Sequence, residues 1–448
     1  MAFTAVLLAK LGWLDVPLDA LLLIGSVAFA DIATTAMADV QETFKRVYLM
    51  AVDAVPDSNV LSAQFERTKK FKAGPDFLYF NVKLETGGSV ANVGDGLKLP
   101  RAAHPKRKQG RAGISHTYTV IAVGGQSIPL TEDNKQAFVE NLDDQFDDAL
   151  VRVKNDKERQ DNGDSRGVLA IVLTVAGAPT YGVEKAYGLN NGGPGSMLFI
   201  EDMDVAGINS GTGAERGRSK IAAAGVDYDN NTITTSAAIA ALAIGDYFVL
   251  CNDNTATGSD AVNNYNNESI GALTIAADTG TFENIARASF RRWKAVVMTN
   301  AGVARPISER LIASLDARVT AKAGRKPSAY YTTRGISIEL QDQLSTMRRF
   351  EGEKTKMKGG YEGLSIKGRT VLEGDWCPKG QFFACNFDSE VVGAMDLVKM
   401  GFVDLDGARL HRIEGRHAYR AELWFPHNNI VFLASTWGRL GDLSDDNS

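Results

Sequence analysis

The chain has 448 residues, of which 44% are apolar, a formal net charge of −5 and three cysteines. That length exceeds one small domain and predicts two or three folded units, while so mild a charge gives no general case for nucleic-acid binding. The odd, sparse cysteines (Cys251, Cys377, Cys385) argue against a disulfide framework and suit a reducing compartment, and none has the Cys/His spacing of a zinc site.

From the N-terminus, the run Ala20 to Ala30 is apolar and ends in Ala28-Phe29-Ala30, which resembles a signal-peptidase site. Asp15 and Asp19 precede it, Lys10 is the only early cation, and the run is too short to span a membrane as a helix. A start at Met37 is an alternative. The expectation carried forward is a retained N-terminal arm over residues 1–76, with a helix over 38–55 (Val40, Phe44, Val47, Tyr48 and Ala51 on one side) and Gly74-Pro75 as a breaker.

Phe77 to Leu84 and Gly113 to Val123 both have strand composition. The Gly-rich loop between them carries Arg101, Lys106, Arg107, Lys108 and Arg111 in its later half, with no acid among them. Residues 77–130 are therefore predicted to form an extended β-hairpin with a basic tip. An isolated hairpin is marginal in water, so the arm must lie on its own chain or on a neighbour. The tip suits a protein contact or a solvated loop. It lacks the aromatic residues that stack on nucleic acid.

Thr131 to Gln160 has the pattern of one long amphipathic helix, roughly 45 Å at ~1.5 Å per residue. Phe138, Leu142, Phe146, Ala149, Leu150 and Val153 form the apolar stripe, and Thr131 is the expected N-cap. Acids crowd the front, where Lys135 is the one base, and Arg152, Lys154, Lys157 and Arg159 gather at the back among Asp156 and Glu158, which broadly complements the helix dipole. Asp143/Asp147 and Asp144/Asp148 are carboxylate pairs one turn apart. Without a histidine on the helix they suit a solvated or partner-facing surface better than a metal.

Beyond the helix, Gly167 to Val175 is apolar enough for a buried strand or helix. Residues 197–275 have short β-like runs and predict a β-rich insertion, with Asp229-Asn230-Asn231 as a hairpin turn. Asp227, Asp229 and Asn231 resemble the start of a calcium loop, but Thr232 and Ala238 stand where its Gly and Glu belong. An α/β pattern follows from Phe282: helices over Pro306 to Ala323 and Ile336 to Phe350, and strands over Ser328 to Thr332, Leu364 to Leu372 and Gln381 to Asn386. Arg416 to Ser435 predicts a β-ribbon turning at His427-Asn428-Asn429. No GxxxxGKS/T, HExxH or GxSxG motif occurs. His104, His116, His411 and His417 have no catalytic constellation around them in sequence. No enzyme, metal or cofactor is expected. An α/β hydrolase with a β accessory domain is the enzymatic alternative.

The order of these parts resembles the major capsid proteins of tailed bacteriophages, the HK-ninety-seven-type fold. The similar stretches are SIPLTEDNKQAFVENLDDQFDDAL, TFENIARASFRRWKA, PSAYYTTRGISIELQDQL and YEGLSIKGRTVLEGDWCPKGQFFACN. The resemblance implies an α+β fold: N-terminal arm (1–76), extended loop (77–130), spine helix of a peripheral domain (131–165), axial domain with a β-rich insertion (166–395), and a peripheral β-ribbon with tail (396–448). It implies a virion protein, assembled in the host cytoplasm from hexamers and pentamers of itself. The implied partners are a scaffolding protein, a portal and packaged double-stranded DNA bound without sequence-specific contact. No membrane is implied. An encapsulin-type compartment shell is the alternative within the same fold. The extended loop would lie over a neighbour, with Arg101, Lys106, Arg107, Lys108 and Arg111 meeting Asp143, Asp144, Asp147 and Asp148 of an adjacent subunit.

Overall fold

The computed structural model describes residues 60–445, apart from 75–76, 96, 125–134, 185–197, 252–267, 348–354, 357–361, 396–400, 403–410, 414 and 416. The expected helix over 38–55 and the expected cap Thr131 lie outside these residues.

At the centre is a mixed six-stranded sheet in the order Val296–Met298, Gly438–Leu440, Phe382–Cys385, Ala329–Thr332, Arg369–Glu373, Ser365–Ile366. Its two central strands, Phe382–Cys385 and Ala329–Thr332, are apolar at nearly every position, which a sheet covered on both faces requires. Successive side chains point to opposite faces. Tyr330, Val371, Phe382, Ala384 and Leu440 share a core with Ile312, Leu315 and Val319 of helix α2 (Glu309–Ala323) and with Ile336 and Leu340 of helix α3 (Arg334–Met347). Tyr331, Leu372, Phe383 and Cys385 enter a second core with Leu61, Phe65, Leu78, Phe80, Trp293 and Trp437.

Helix α2 begins later than its proline suggests. Ser308 is extended (φ −146°, ψ 151°), and its hydroxyl accepts from the Leu311 N–H at 3.4 Å, so Ser308 is the cap and Pro306 stands outside. Gly324 closes the helix at φ 71°, where a side chain would be strained. Helix α3 starts two residues before the expected Ile336.

Two strand pairings differ from the sequence expectation. Phe77–Glu85 pairs with Lys106–Gly113, the segment expected to be the basic half of the loop, and not with Gly113 to Val123. Gly110 and Ala112 explain this. They are the buried positions of that strand, and a Cβ on Gly110 would sit 2.5 Å from the Phe80 ring. The flanking cations point to solvent, so an alternating small/charged run makes a one-sided strand. Second, the C-terminal segment is not a ribbon turning at His427-Asn428-Asn429. Ala418–His427 pairs along its whole length with Ser115–Gly124, and Asn429–Val431 leaves for Val392–Met395. Buried Asn428 takes up the change of direction: its amide donates to the Gly113 carbonyl (2.6 Å), and its Oδ1 accepts from Ile270 N (2.9 Å) and Asn429 N (2.7 Å).

Between 170 and 250 the chain forms a closed six-stranded barrel, in the order Thr232–Thr235, Thr180–Val183, Ala170–Gly177, Tyr247–Leu250, Asp204–Ile208, Glu215–Asp227. Val172, Phe199, Val205, Ile221, Ile233 and Phe248 fill it. The predicted hairpin turn is present, with Asn231 at φ 51°. Asp227 Oδ1 accepts from the N–H groups of Asp229 (3.0 Å) and Asn230 (3.1 Å), so the carboxylate is occupied by its own turn rather than arranged for a cation.

Helix α1 (Lys135–Asn162) is the expected long helix. Ala149 and Val153 are buried, Leu150 is half-buried, and α1 lies against the strand Ser115–Gly124. The side chains of Phe138, Leu142 and Phe146 lie outside the described residues.

Candidate assembly surfaces

The arm has one committed face. Leu78, Phe80, Val82 and Leu84 alternate into the second core, and Lys106 to Gln109 and Arg111 are exposed on the opposing strand. The loop 86–105 joins the two strands, and its described residues bury almost nothing. Val90 is 96%, Leu97 69% and Leu99 82% exposed. Three large apolar side chains so exposed within one loop make it a candidate contact surface.

The expected basic tip is redistributed along this arm. Arg101 alone sits in the loop, exposed. Lys106 pairs with Glu85 at 2.8 Å. Arg107 stands opposite Lys83 and Lys108 opposite Val82. The Arg111 guanidinium lies over the Phe77 ring at 4.8 Å, and its backbone N–H donates to the Glu283 carbonyl. On α1, Asp147 and Asp148 are exposed, and the side chains of Asp143 and Asp144 lie outside the described residues. Within the subunit, no ion pair joins the described members of these two sets.

A polar junction holds the framework beneath the arm. Glu158, at the C-terminal end of α1, accepts the N–H groups of Leu61 (2.7 Å) and Ser62 (2.8 Å), one on each oxygen. Asp161 accepts from Lys157, the Ser62 hydroxyl and the Asn429 amide. Gln160 Oε1 accepts from Ser269 N and meets His427 Nε2 at 3.0 Å. Buried Arg159 pairs with Asp156 and Glu268 and donates to the Val168 carbonyl. One helical turn thus binds the N-terminal segment, the segment after residue 267 and the C-terminal strand together. Gly271 fits because a Cβ there would lie 2.3 Å from the Gln160 carbonyl oxygen.

Burial dominates the titration of this junction. It raises Glu158 from 4.5 to about 7, against the hydrogen bonds from Ser62 and Leu61. It lowers His427 from 6.5 to about 4, helped by Lys157 and opposed by Asp161. Between pH 4.5 and 7 the folded chain keeps the Glu158 proton that the unfolded chain releases, so stability falls as pH rises. From pH 6.5 down to 4 the unfolded chain protonates His427 first, so stability falls as pH falls. Each contribution is roughly 3 kcal/mol, and across their shared window they oppose each other. Glu158→Gln is therefore expected to steepen the loss of urea stability on acidification. His427→Gln is expected to leave the chain more stable at pH 4.5, relative to pH 7, than the parent. Parallel stability–pH profiles in the parent and both variants would contradict these assignments.

No arrangement for catalysis emerges among the described residues. They hold no group of three or more potential metal ligands, and none of their helices is long and apolar enough to cross a membrane. Cys377 and Cys385 are buried, and burial pushes both thiols well up, the opposite of an activated nucleophile. His116 stacks on Trp424, and His104 is exposed. A feature absent from the sequence expectation is a convergence of cations, Arg291, Arg292 and Lys294 with Lys322, brought together by the α2 packing. The RRWK run was its only sequence signal.

The sequence matches no protein-family profile and no curated protein. Among solved structures, the fold is similar to the capsid asymmetric unit of Cyanophage A-1(L), with 13% identity over 88% of this chain and 95% of that one, at a TM-score of 0.49. It is similar to a structure from Mycobacterium phage Bobi (12% identity, 91% and 99% covered, TM-score 0.41). It is also similar to the holo-SrpI encapsulin complex of Synechococcus elongatus (9% identity, 90% and 96% covered, TM-score 0.44). A phage capsid and an encapsulin are thus among the structural neighbours, and each likeness runs over most of both chains.

Proposed function

We propose that the chain is the major subunit of an icosahedral shell, assembling with copies of itself as hexamers and pentamers to enclose double-stranded DNA in a virion. The observation that carries this reading is the arm. One face is fixed in the subunit core, and the loop beyond it presents Val90, Leu97 and Leu99 to solvent. A second copy supplies the cover that this loop lacks. In this reading α1 is the spine of a peripheral domain completed by the strand Ala418–His427, and residues 166–395 form the axial domain, to whose central sheet Gly438–Leu440 returns. The barrel is its insertion, and residues 1–76 are an arm. A scaffolding protein and a portal complete assembly in the host cytoplasm, and DNA is held without sequence-specific contact.

Leu97→Asp combined with Leu99→Asp tests the arm. Each leucine buried at a contact is worth about 1.5–3 kcal/mol, so particle yield is expected to fall more than about tenfold. The melting temperature of the subunit should not change, because both side chains are exposed in it. Particle yield equal to the parent would contradict the docking of the loop.

A further inference from the structure

A cleft of about 480 Å³ lies between the far end of the strand Phe77–Glu85, the turn at Phe290 to Arg292, and the C-terminal end of α2. Leu84 and Phe290 give it apolar flanks, and Arg291, Arg292 and Lys322 line it. Lys322 is partly desolvated and also faces Lys294 and Arg291. Burial first, and then these two cations, lower its pKa, with only Asp278 opposing them. Its ammonium donates to the Ala295 carbonyl at 2.9 Å, which fixes its position. The one carboxylate lining the cleft, Glu85, is paired with Lys106. Among the described residues, no ion pair is made by Arg291, Arg292, Lys294 or Lys322. Four cations therefore converge at this concavity with no ion-pair partner among the described residues.

We propose that this cleft receives the acidic face of α1 from a second copy of the chain, with Asp147 and Asp148 as the carboxylates that meet Arg291 and Arg292. The proposal rests on the shell reading and names a contact within it. The complementarity is one of charge: Asp147 and Asp148 are exposed on α1, with Asp148 also facing Arg152 of its own helix, and the cation cluster makes no ion pair among the described residues. The cluster is an alternative to the arm cations as the counterpart of the helix acids. Lys106 is already paired, Arg111 is spread over Phe77, and Arg107 and Lys108 point outward from a strand. A pairing of this kind sets register and partner choice more than total affinity.

Two measurements test it. In the first, Arg292→Cys and Asp147→Cys chains are mixed and oxidised. The parent cysteines are all buried, so they do not compete. A disulfide-linked dimer joining the two variants is expected, well above that from Arg292→Cys mixed with Glu201→Cys. No excess over that control would overturn the proposal, whether or not particles form. In the second, Arg291→Glu with Arg292→Glu is expected to reduce particle yield by at least about tenfold, and adding Asp147→Lys with Asp148→Lys should restore it. Undiminished assembly by the first pair, or no recovery with the second, would overturn it. Shells of normal yield that retain less DNA would assign the cleft to nucleic acid instead. Failure of the parent itself to form particles, with the cross-link present, would count against the shell and not against the contact.

Discussion

Arg159→Met is expected to destabilise the subunit by about 3–5 kcal/mol, the cost of removing one partner from a buried ion pair. Arg159 is buried, and its charge is opposed by that burial. The carboxylates of Glu268 and Asp156 more than compensate, so its pKa ends above the ordinary value. Methionine fills much of the same volume, which isolates the electrostatic loss. Glu268 is then left desolvated, accepting only the Gly167 N–H among the described residues. Adding Glu268→Gln is expected to recover a large part of the loss, because a neutral amide does not carry the charge penalty. Urea denaturation at pH 7 decides it. A single-variant loss below about 1 kcal/mol, the range of a solvated surface pair, would show that the junction is not desolvated.

Trp437→Ala should cost a comparable amount, about 3–5 kcal/mol. Trp437 is fully buried. It stacks on Phe65 with ring centroids 6.3 Å apart and meets Phe387 edge-on at 5.8 Å. Phe65 belongs to the N-terminal segment and Trp437 to the C-terminal one, so the indole joins the two ends of the described chain across the second core. Amide exchange over residues 61–65 is expected to accelerate beyond the global effect, and Trp437→Phe should retain most of the protection. A uniform change across the chain would contradict this linking role.

Much of the architecture was legible because it rests on local signals. The α1 periodicity, the α2 stripe closed by Gly324, the Asx turn at Asp227 and the apolar strands AYYT and FFAC all follow from residues close in sequence. Pairing was harder to read. Lys106–Gly113 carries four cations and looks like a loop until Phe80 is seen lying on Gly110. Likewise His427-Asn428-Asn429 has turn composition, yet its polar groups are consumed by Gly113, Ile270, Gln160 and Asp161, from three distant segments. The arm cations were visible as a cluster in sequence, but the pleat separates them. The cluster at Arg291, Arg292, Lys294 and Lys322 forms only when α2 packs beside the 290–294 turn.

We propose that this chain builds a closed shell from copies of itself. Light scattering and negative-stain microscopy of the chain, expressed alone and with its neighbouring gene products, test it most directly. Uniform megadalton particles with icosahedral outlines are expected, with nucleic acid inside when they are recovered from infected cells. An enclosed enzyme cargo would mark a compartment shell instead. A monodisperse monomer or dimer under every assembly condition would contradict the account.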